Sequence, residues 1–459
     1  MISPFSFLKT RWQSHCKGLF LQRKKIISTN QMNVLLIGSG GREHAMAWKI
    51  VQSPLLTQLY IAPGNPGTLA HGINVDINPI EFDQVKELVL SKRINLVVVG
   101  PEDPLVKGIH DFFLGDDTLK SIPVIGPTKA GAMLEGSKDF SKSFMVKHGI
   151  PTAAYQSFTS STKDKAIDFL KTLKPPYVLK ADGLAAGKGV IICNEFKDAL
   201  DNLNTFFEGR FGAAGEIVVI EEFLKGIELS VFVLTDGDSY VLLPEAKDYK
   251  RIGEDDTGPN TGGMGSVSPV PFADEIFMDK VVKQVIEPTI TGLKADRIDY
   301  VGFIFAGLMN VNGDPYVIEY NARLGDPETQ VVLPRLKTDF LELLILASKR
   351  ELTRAKVKFY DHTATAVILV SGGYPDVYQK GKEILELSTI DNSILFHAGT
   401  KHNSEGKLIT SGGRVFASVG ISDTLQDALA KSYQLANTIN FEGKYFRRDI
   451  GMDIMPIKK

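Results

Sequence analysis

Cysteine is almost missing: Cys16 and Cys193 are the only two in 459 residues. Cys16 falls in a basic leader, so the globular part has no pair with which to close an internal disulfide, and a reducing compartment fits. No run of about eighteen or more apolar residues occurs, which excludes a membrane-crossing helix. Internal repeats and low-complexity tracts are also absent. Acids are missing from residues 1–31, where Lys9, Arg11, Lys17, Arg23, Lys24 and Lys25 stand. Since the whole chain carries a formal charge of −2, the remainder is net acidic, a poor match to the phosphate backbone of nucleic acid.

The acid-free leader has the composition of an organellar transit peptide. The other reading, preferred here, is an upstream extension, because Met32 to Gly38 opens directly into an apolar strand. A cytoplasmic protein is expected on the preferred reading and an organellar one on the other. Residues 1–31 are set apart from the fold in either case.

The length suggests about three domains. From Asn33 short β-branched runs alternate with helical patterns: strands at Val34–Ile37, Leu59–Ala62, Leu96–Val99 and Val124–Ile125, and a helix over Ala45–Ser53. That alternation predicts a doubly wound parallel sheet over 32–134, with ligands at the carboxyl ends of its strands. The next region, 135–352, reads as α+β, with strands at Tyr177–Ala181, Val190–Cys193, Ile217–Glu222, Glu228–Leu234 and Tyr240–Pro244. Asp248–Pro269 reads as a long loop, a feature usually tied to function. A hairpin over Val301–Glu319 and a helix over Glu328–Arg350 follow, then a small α+β domain over 353–459.

Four segments carry chemistry. Gly38-Ser39-Gly40-Gly41-Arg42-Glu43-His44 follows a strand and opens a helix, so its N–H groups can receive a phosphate. It departs from a dinucleotide fingerprint, because Glu43 stands at the third glycine and the second strand ends without an acid for a ribose. Lys180 to Gly189 combines three glycines and two lysines, suited to a triphosphate, but its spacing is not that of a Walker A loop. Ile220-Glu221-Glu222-Phe223-Leu224 with Glu228 could meet an adenine edge and a ribose, or be ordinary strand sequence. Finally, Glu319, Asn321 and Arg323 alternate along a strand end and so share a face. A carboxylate and an amide oxygen suit Mg²⁺ bound together with phosphates, and a guanidinium fork suits a carboxylate or phosphate. A polar-faced edge strand would read the same way.

The order of these pieces resembles the ATP-grasp superfamily. The words Gly38 to His44, Gly100-Pro101-Glu102-Asp103-Pro104-Leu105, Lys180 to Gly189, Gly258 to Gly265 and Arg323 to Glu328 resemble the phosphoribosylamine–glycine ligase family within it, from Met32 to near Ile457. The resemblance implies a central ATP-grasp fold with a small lid over about 152–221. It also implies an ATP-dependent, ADP-forming ligation of glycine to 5-phosphoribosylamine through glycyl phosphate, in purine biosynthesis. Glu319 and Asn321 would be ligands of Mg²⁺ or Mn²⁺. Lys138, Lys180, Gly187 and Lys188 would meet ATP phosphates, Glu221, Glu222 and Leu224 the adenine, and Glu228 the ribose. Arg323, with Lys180, would act on the reacting groups, Arg323 holding the substrate carboxylate or the acyl phosphate. Gly38, Gly40, Gly41, Glu102, Asp182, Asp248, Lys250, Asn260, Thr261, Gly262, Gly263 and Asp326 would border the substrates. Many members of the superfamily place another acidic ligand on the strand before Glu319, but Gly302 to Met309 contains none, and Asp314 follows only in the turn and is not expected to substitute. A monomer is expected, with small-molecule substrates and neither nucleic acid nor membrane as partner. A ligase of another acid, formate or bicarbonate, is the alternative enzyme, and a non-catalytic nucleotide-binding regulator the alternative class.

Overall fold

The computed structural model describes residues 32–184, 189–385 and 389–455. The N-terminal sheet is built from β1 (Met32–Gly38), β2 (Leu56–Pro63), β3 (Ile73–Asn74), β4 (Leu96–Val99) and β5 (Val124–Ile125), in the order β3-β2-β1-β4-β5. Every pairing in it is parallel. Val34 to Ile37 and Leu96 to Val99 are buried throughout, as strands covered on both faces must be. The strand order turns about β1 and β4, so the loops at Ser39 and Gly100 open into one crevice. The first helix spans Gly41–Ile50 and starts earlier than its sequence pattern suggests, because Glu43 reaches back to accept the Gly40 N–H at 2.6 Å.

The lid sheet holds β6 (Tyr155–Thr159), β7 (Tyr177–Ala181), β8 (Val190–Cys193) and β9 (Ile217–Glu222) in the order β6-β9-β7-β8. Its helices bury Ala166, Leu170, Ala199, Leu203 and Phe206 against Leu179 and Ile220. The chain then makes β10 (Ile227–Thr235) and β11 (Tyr240–Leu242). Four short strands follow, β12 (Lys247–Asp248), β13 (Arg251–Gly253), β14 (Thr257–Asn260) and β15 (Gly265–Ser268), and then the hairpin of β16 (Gly302–Val311) and β17 (Asp314–Asn321). Strands β11-β10-β16-β17 form a second antiparallel sheet.

The C-terminal region adds β18 (Thr363–Val370), β19 (Ser393–His397), β20 (Thr400–His402), β21 (Leu408–Thr410) and β22 (Arg414–Ser422), with the Leu425–Thr438 helix packed on the sheet β12-β15-β18-β22-β19. Two sequence expectations change here. Asp248–Pro269 is not a plain loop: β13 pairs with β14, and β15 pairs with β18 of the C-terminal region. Its Gly, Pro and Asn residues read locally as breakers, while β15 is held between β12 and, far along the chain, β18. The Glu328–Arg350 helix is two helices, Thr329–Arg335 and Phe340–Ser348. Pro334 lies at the end of the first, and Asp339 caps the second by accepting the Glu342 N–H at 3.2 Å. One apolar cluster runs from Val34 and Leu36 through Leu324 and Leu341 to Ala364, Phe396 and Val419, so the three regions share a core.

Where the N- and C-terminal regions meet, three histidines gather. The His44 ring lies 5.2 Å from that of His71 and 5.7 Å from that of His397. His44 Nδ1 accepts the His397 N–H at 2.8 Å, and Asn65 Nδ2 donates to the His397 carbonyl at 3.0 Å. Burial, then the nearby His402, pushes His397 down to about 4; burial, then His397 and His71, holds His44 well below its ordinary range. The folded state keeps both neutral, while the unfolded chain takes up protons from about pH 6.5. Their contribution to stability is therefore complete above that pH and is lost as the pH falls towards 4. The wild type is expected to lose about 2 kcal/mol more than His397→Gln between pH 7 and 4.5 in denaturant titrations. Parallel stability profiles would mean that His397 is not held neutral in the folded state.

Candidate active site

The chemistry gathers at the end of β17. In the β16–β17 ladder Gly307 faces Glu319 but Leu308 faces Val317, so Ile318 is an extra residue, a bulge. With it, Val317 and Tyr320 both lie in the core, at 0% and 2% exposure, while Glu319 and Asn321 stay half-buried on the other face. Strict alternation would have put Glu319 on the same side as Val317. The Ile318 carbonyl accepts Lys180 Nζ at 3.3 Å. Among the described residues the ion-pair partner of Glu319 is Lys250, at 3.9 Å. Burial works to raise the Glu319 carboxyl, but Lys250, Lys180 and Lys138 outweigh it and hold it below the usual range.

A carboxylate with one protein partner at long range, beside an amide oxygen and under three lysines, fits a hard cation that arrives with phosphate oxygens. It does not fit an all-protein cage, and no group of three or more His, Cys, Asp or Glu that could hold a metal occurs among the described residues. Asp314 takes no part: it sits at the far end of β17, paired with Lys280 at 2.7 Å.

On the lid side, Lys180 of β7 and Glu221 of β9 meet at 2.9 Å. Glu221 also pairs with Lys142 at 2.9 Å, and Lys142 donates to Thr152 Oγ1 at 2.8 Å. Lys142, 2% exposed and pushed down to about 8 chiefly by burial, was not singled out from the sequence. The available signal was its i, i+4 spacing from Lys138 on the Lys138–Lys147 helix. Lys138 Nζ reaches the Gly183 carbonyl at 3.3 Å. Asp182 caps this helix, its Oδ1 accepting the Asp139 N–H at 2.7 Å and the Ser137 hydroxyl at 2.9 Å. Glu222 is exposed at the strand end, accepting the Ala154 N–H at 2.9 Å, and Leu224 is half-buried beyond it. Gly187 and Lys188 lie outside the described residues.

Across from the lid, Lys250 bonds Glu228 at 2.9 Å. Burial disfavours its charge, but Glu228, Asp248 and Glu319 prevail and raise it well above the ordinary lysine range. Asp248 is raised, mainly by burial, and Glu328 behind it, 3% exposed, is pushed up to about 7 by burial and by Asp248. Thr261 donates its N–H and hydroxyl to the Lys250 carbonyl at 2.7 and 2.8 Å, and Asn260 pairs with Arg251. The Gly258–Gly265 segment is thereby fastened to the same group.

Arg323 lies past the end of β17 and turns to the N-terminal region. Its Nη2 meets Glu135 at 2.7 Å, its Nε meets Glu102 at 3.4 Å and its Nη1 donates to the Leu324 carbonyl at 3.3 Å. Glu135 also accepts the Ala322 N–H at 2.8 Å. The Gly38–His44 turn arrives beside them, but two of its amides already have anions: Gly40 has Glu43, and the Arg42 N–H has Asp326 at 3.3 Å. Protein carboxylates occupy the positions that the sequence pattern left for a phosphate, Glu43 doing so from the third-glycine position. From the C-terminal region Arg414 reaches Asp326 and Gly262. Glu135 and Arg414 were invisible to a local reading because they meet Arg323, Asp326 and Gly262 only through the tertiary fold.

A lid sheet and a second antiparallel sheet, facing each other across Lys138, Lys180, Glu319 and Asn321, make this an ATP-grasp protein. The models for the N domain, the ATP-grasp (A) domain and the C domain of phosphoribosylglycinamide synthetase match residues 32–135, 136–329 and 364–453. The chain belongs to the phosphoribosylamine–glycine ligase family. It is 46% identical to the ligase of Chlorobaculum tepidum over 92% of this chain and 99% of that protein, and 44% identical to that of Vibrio cholerae over 92% and 98%. The crystal structure of the Thermotoga maritima ligase matches with a TM-score of 0.79 at 36% identity, covering 91% of this chain and 99% of that one. A biotin carboxylase domain from Hydrogenobacter thermophilus, solved with MgADP and bicarbonate, shares the fold at 16% identity, with a TM-score of 0.69 and coverage of 91% and 92%.

Proposed function

We propose that this protein joins glycine to 5-phosphoribosylamine at the expense of ATP, giving glycinamide ribonucleotide, ADP and phosphate, a step of de novo purine biosynthesis. The observation that carries the reading is the meeting of three regions at the end of β17. Lid lysines lie on one side of Glu319, the Lys250 cluster on another, and Arg323 with Glu102 and Glu135 beyond.

In this reading the glycine carboxylate attacks the γ-phosphate to form glycyl phosphate, and the ribosylamine nitrogen then attacks its carbonyl. Phosphoryl transfer needs positioning and charge neutralisation more than covalent help. Lys138 and Lys180 set the phosphates, Glu221, Glu222 and Leu224 the adenine, and Glu228 the ribose. Arg323 orients the acid being activated. Asp182, Asp248, Lys250, Asn260 to Gly263, Asp326, Glu102 and the Gly38–Gly41 turn border the two substrates. Mg²⁺ or Mn²⁺, held by Glu319 and Asn321 together with phosphate oxygens, would neutralise charge on the transferring group. The domain division is 32–134, 135–352 with a lid near 152–221, and 353–459. We assign the protein to the cytoplasm as a monomer, in keeping with its single cysteine outside the leader.

The test is ADP release measured with each substrate omitted in turn: turnover must need both glycine and synthetic phosphoribosylamine, and turnover indifferent to glycine would defeat the reading. Lys142 gives a second check. When Lys180 turns to a phosphate, Lys142 remains as counter-ion to the buried Glu221. Lys142→Met is expected to raise the KM for ATP about tenfold, or ~1.4 kcal/mol, and to leave that for glycine in place. An unmoved KM for ATP would count against this role.

A further inference from the structure

We propose that the C-terminal domain completes the acceptor side of the site through two positioning residues, Tyr374 and Arg414, which grip the backbone of Gly262 on both sides, at its N–H and at its carbonyl. The proposal rests on the ligase reading above. The Gly262 N–H donates to Tyr374 Oη at 3.0 Å, and the Gly262 carbonyl accepts from Arg414 Nη1. The same nitrogen donates to the Asp326 backbone carbonyl at 2.6 Å and lies 3.6 Å from Asp326 Oδ1. The other carboxylate oxygen, Oδ2, accepts the Arg42 N–H at the start of the Gly41–Ile50 helix. One guanidinium nitrogen thus joins the Gly262 turn to the turn after β17 and, through Asp326, to the N-terminal domain.

The seat of these two side chains belongs to the C-terminal domain. A Cβ on Gly413 would strike the Tyr374 ring, and one on Gly262 would stand 3.0 Å from the Arg414 guanidinium carbon. Ser371 donates its N–H to the Gly413 carbonyl at 2.8 Å and its hydroxyl to the Gly412 carbonyl at 2.9 Å, and the Gly399 N–H donates to the Arg414 carbonyl at 2.8 Å.

Gly262 is exposed, and an exposed glycine turn ordinarily samples many backbone states. Two cross-domain bonds remove that freedom. The effect passes inward, since the Gly263 N–H donates to Thr261 Oγ1 at 2.9 Å, Thr261 is bonded to the Lys250 carbonyl, and Lys250 pairs with Glu228. The turn borders the proposed ribosylamine site, so the grip orders the acceptor side before that substrate arrives, lowering the ordering cost of its binding.

The test is steady-state kinetics of the full-length protein carrying Tyr374→Phe, Arg414→Lys or Arg414→Met. Loss of one neutral hydrogen bond in Tyr374→Phe is expected to raise the KM for phosphoribosylamine about fivefold, and loss of the charged donor in Arg414→Met about thirtyfold. The KM values for ATP and glycine should stay within about twofold, the split that separates acceptor binding from the rest. Arg414→Lys should stay within about threefold of wild type, because a single cationic nitrogen makes all the contacts. A second readout replaces the ribosylamine with hydroxylamine, which captures glycyl phosphate as the hydroxamate; Tyr374→Phe should form it at the wild-type rate. The proposal is overturned by an unchanged phosphoribosylamine KM in Tyr374→Phe, by equal rises for ATP and glycine, or by Arg414→Lys as impaired as Arg414→Met. Should Arg414→Met fail to fold, Tyr374→Phe decides. A wild type without glycine- and ribosylamine-dependent ADP release sinks the ligase reading and this inference together; wild-type turnover with an unaltered Tyr374→Phe sinks this inference alone.

Discussion

Glu319→Ala is expected to abolish ligation, lowering kcat by at least about a thousandfold, or ~4 kcal/mol, with the fold intact. The bulge at Ile318 turns this carboxylate out of the core, where Val317 and Tyr320 do the packing. Its side chain is 35% exposed, and Lys250 stands 3.9 Å away, so alanine removes little packing and breaks no short ion pair among the described residues. What disappears is the acidic oxygen donor at the end of β17, leaving Asn321 and three lysines to meet the phosphates in the proposed arrangement. Glu319→Gln keeps an oxygen but not its charge and should fall between. ADP release and thermal denaturation on the same preparations check this. Activity within about tenfold of wild type would remove Glu319 from metal binding, and a collapsed melting transition would point to a structural part instead.

The strands that position this site were legible because their physics is local. Val34 to Ile37, Leu96 to Val99 and the Tyr177, Val190, Ile217 and Ile227 strands are apolar or β-branched runs bounded by turn residues, and they form where that pattern predicts. The break between Arg335 and Phe340 was also written locally, in Pro334 and the Asp339 cap, but the strong apolar content of Phe340 to Ser348 hid it. Strand β15 could not be read, because Gly265 to Ser268 is a strand through its pairing with β12 and β18, a register that no local pattern supplies. The placing of Glu319 and Asn321 on one face followed from side-chain period alone. The bulge that decides which face that is did not, since it depends on the register against β16. Arg323 leaves the shared face because β17 ends at Asn321, and the acids that receive it, Glu102 and Glu135, come from another sheet's loops and helices. Lys142, Arg414 and Tyr374 were missed for the same reason: their partners are tertiary neighbours that no spacing rule supplies.

Arg323→Lys is the second large effect expected, about a hundredfold loss in kcat/KM for glycine with the KM for ATP nearly unchanged. The guanidinium uses all three nitrogens at once, on Glu135, Glu102 and the Leu324 carbonyl. An ammonium is a single centre and cannot span three acceptors in that geometry. Glu135, 9% exposed, is already raised by burial, with Arg323 opposing the rise; a lysine that reaches it can no longer hold Glu102 in place. The substrate carboxylate would have to compete for the same cation, and a point charge offers no second N–H pair once the buried acid is satisfied. ATP is gripped by Lys138 of the Lys138–Lys147 helix and Lys180 of the lid in the proposed arrangement, not by Arg323, so its KM is the internal control. Arg323→Met goes further, removing the close ion pair of the buried Glu135 and leaving it only the more distant charge of Arg42, at a cost of about 3 kcal/mol in stability, measurable as a lowered denaturation midpoint. An unchanged glycine KM in Arg323→Lys, with wild-type stability, would mean that Arg323 joins the domains without touching the acid.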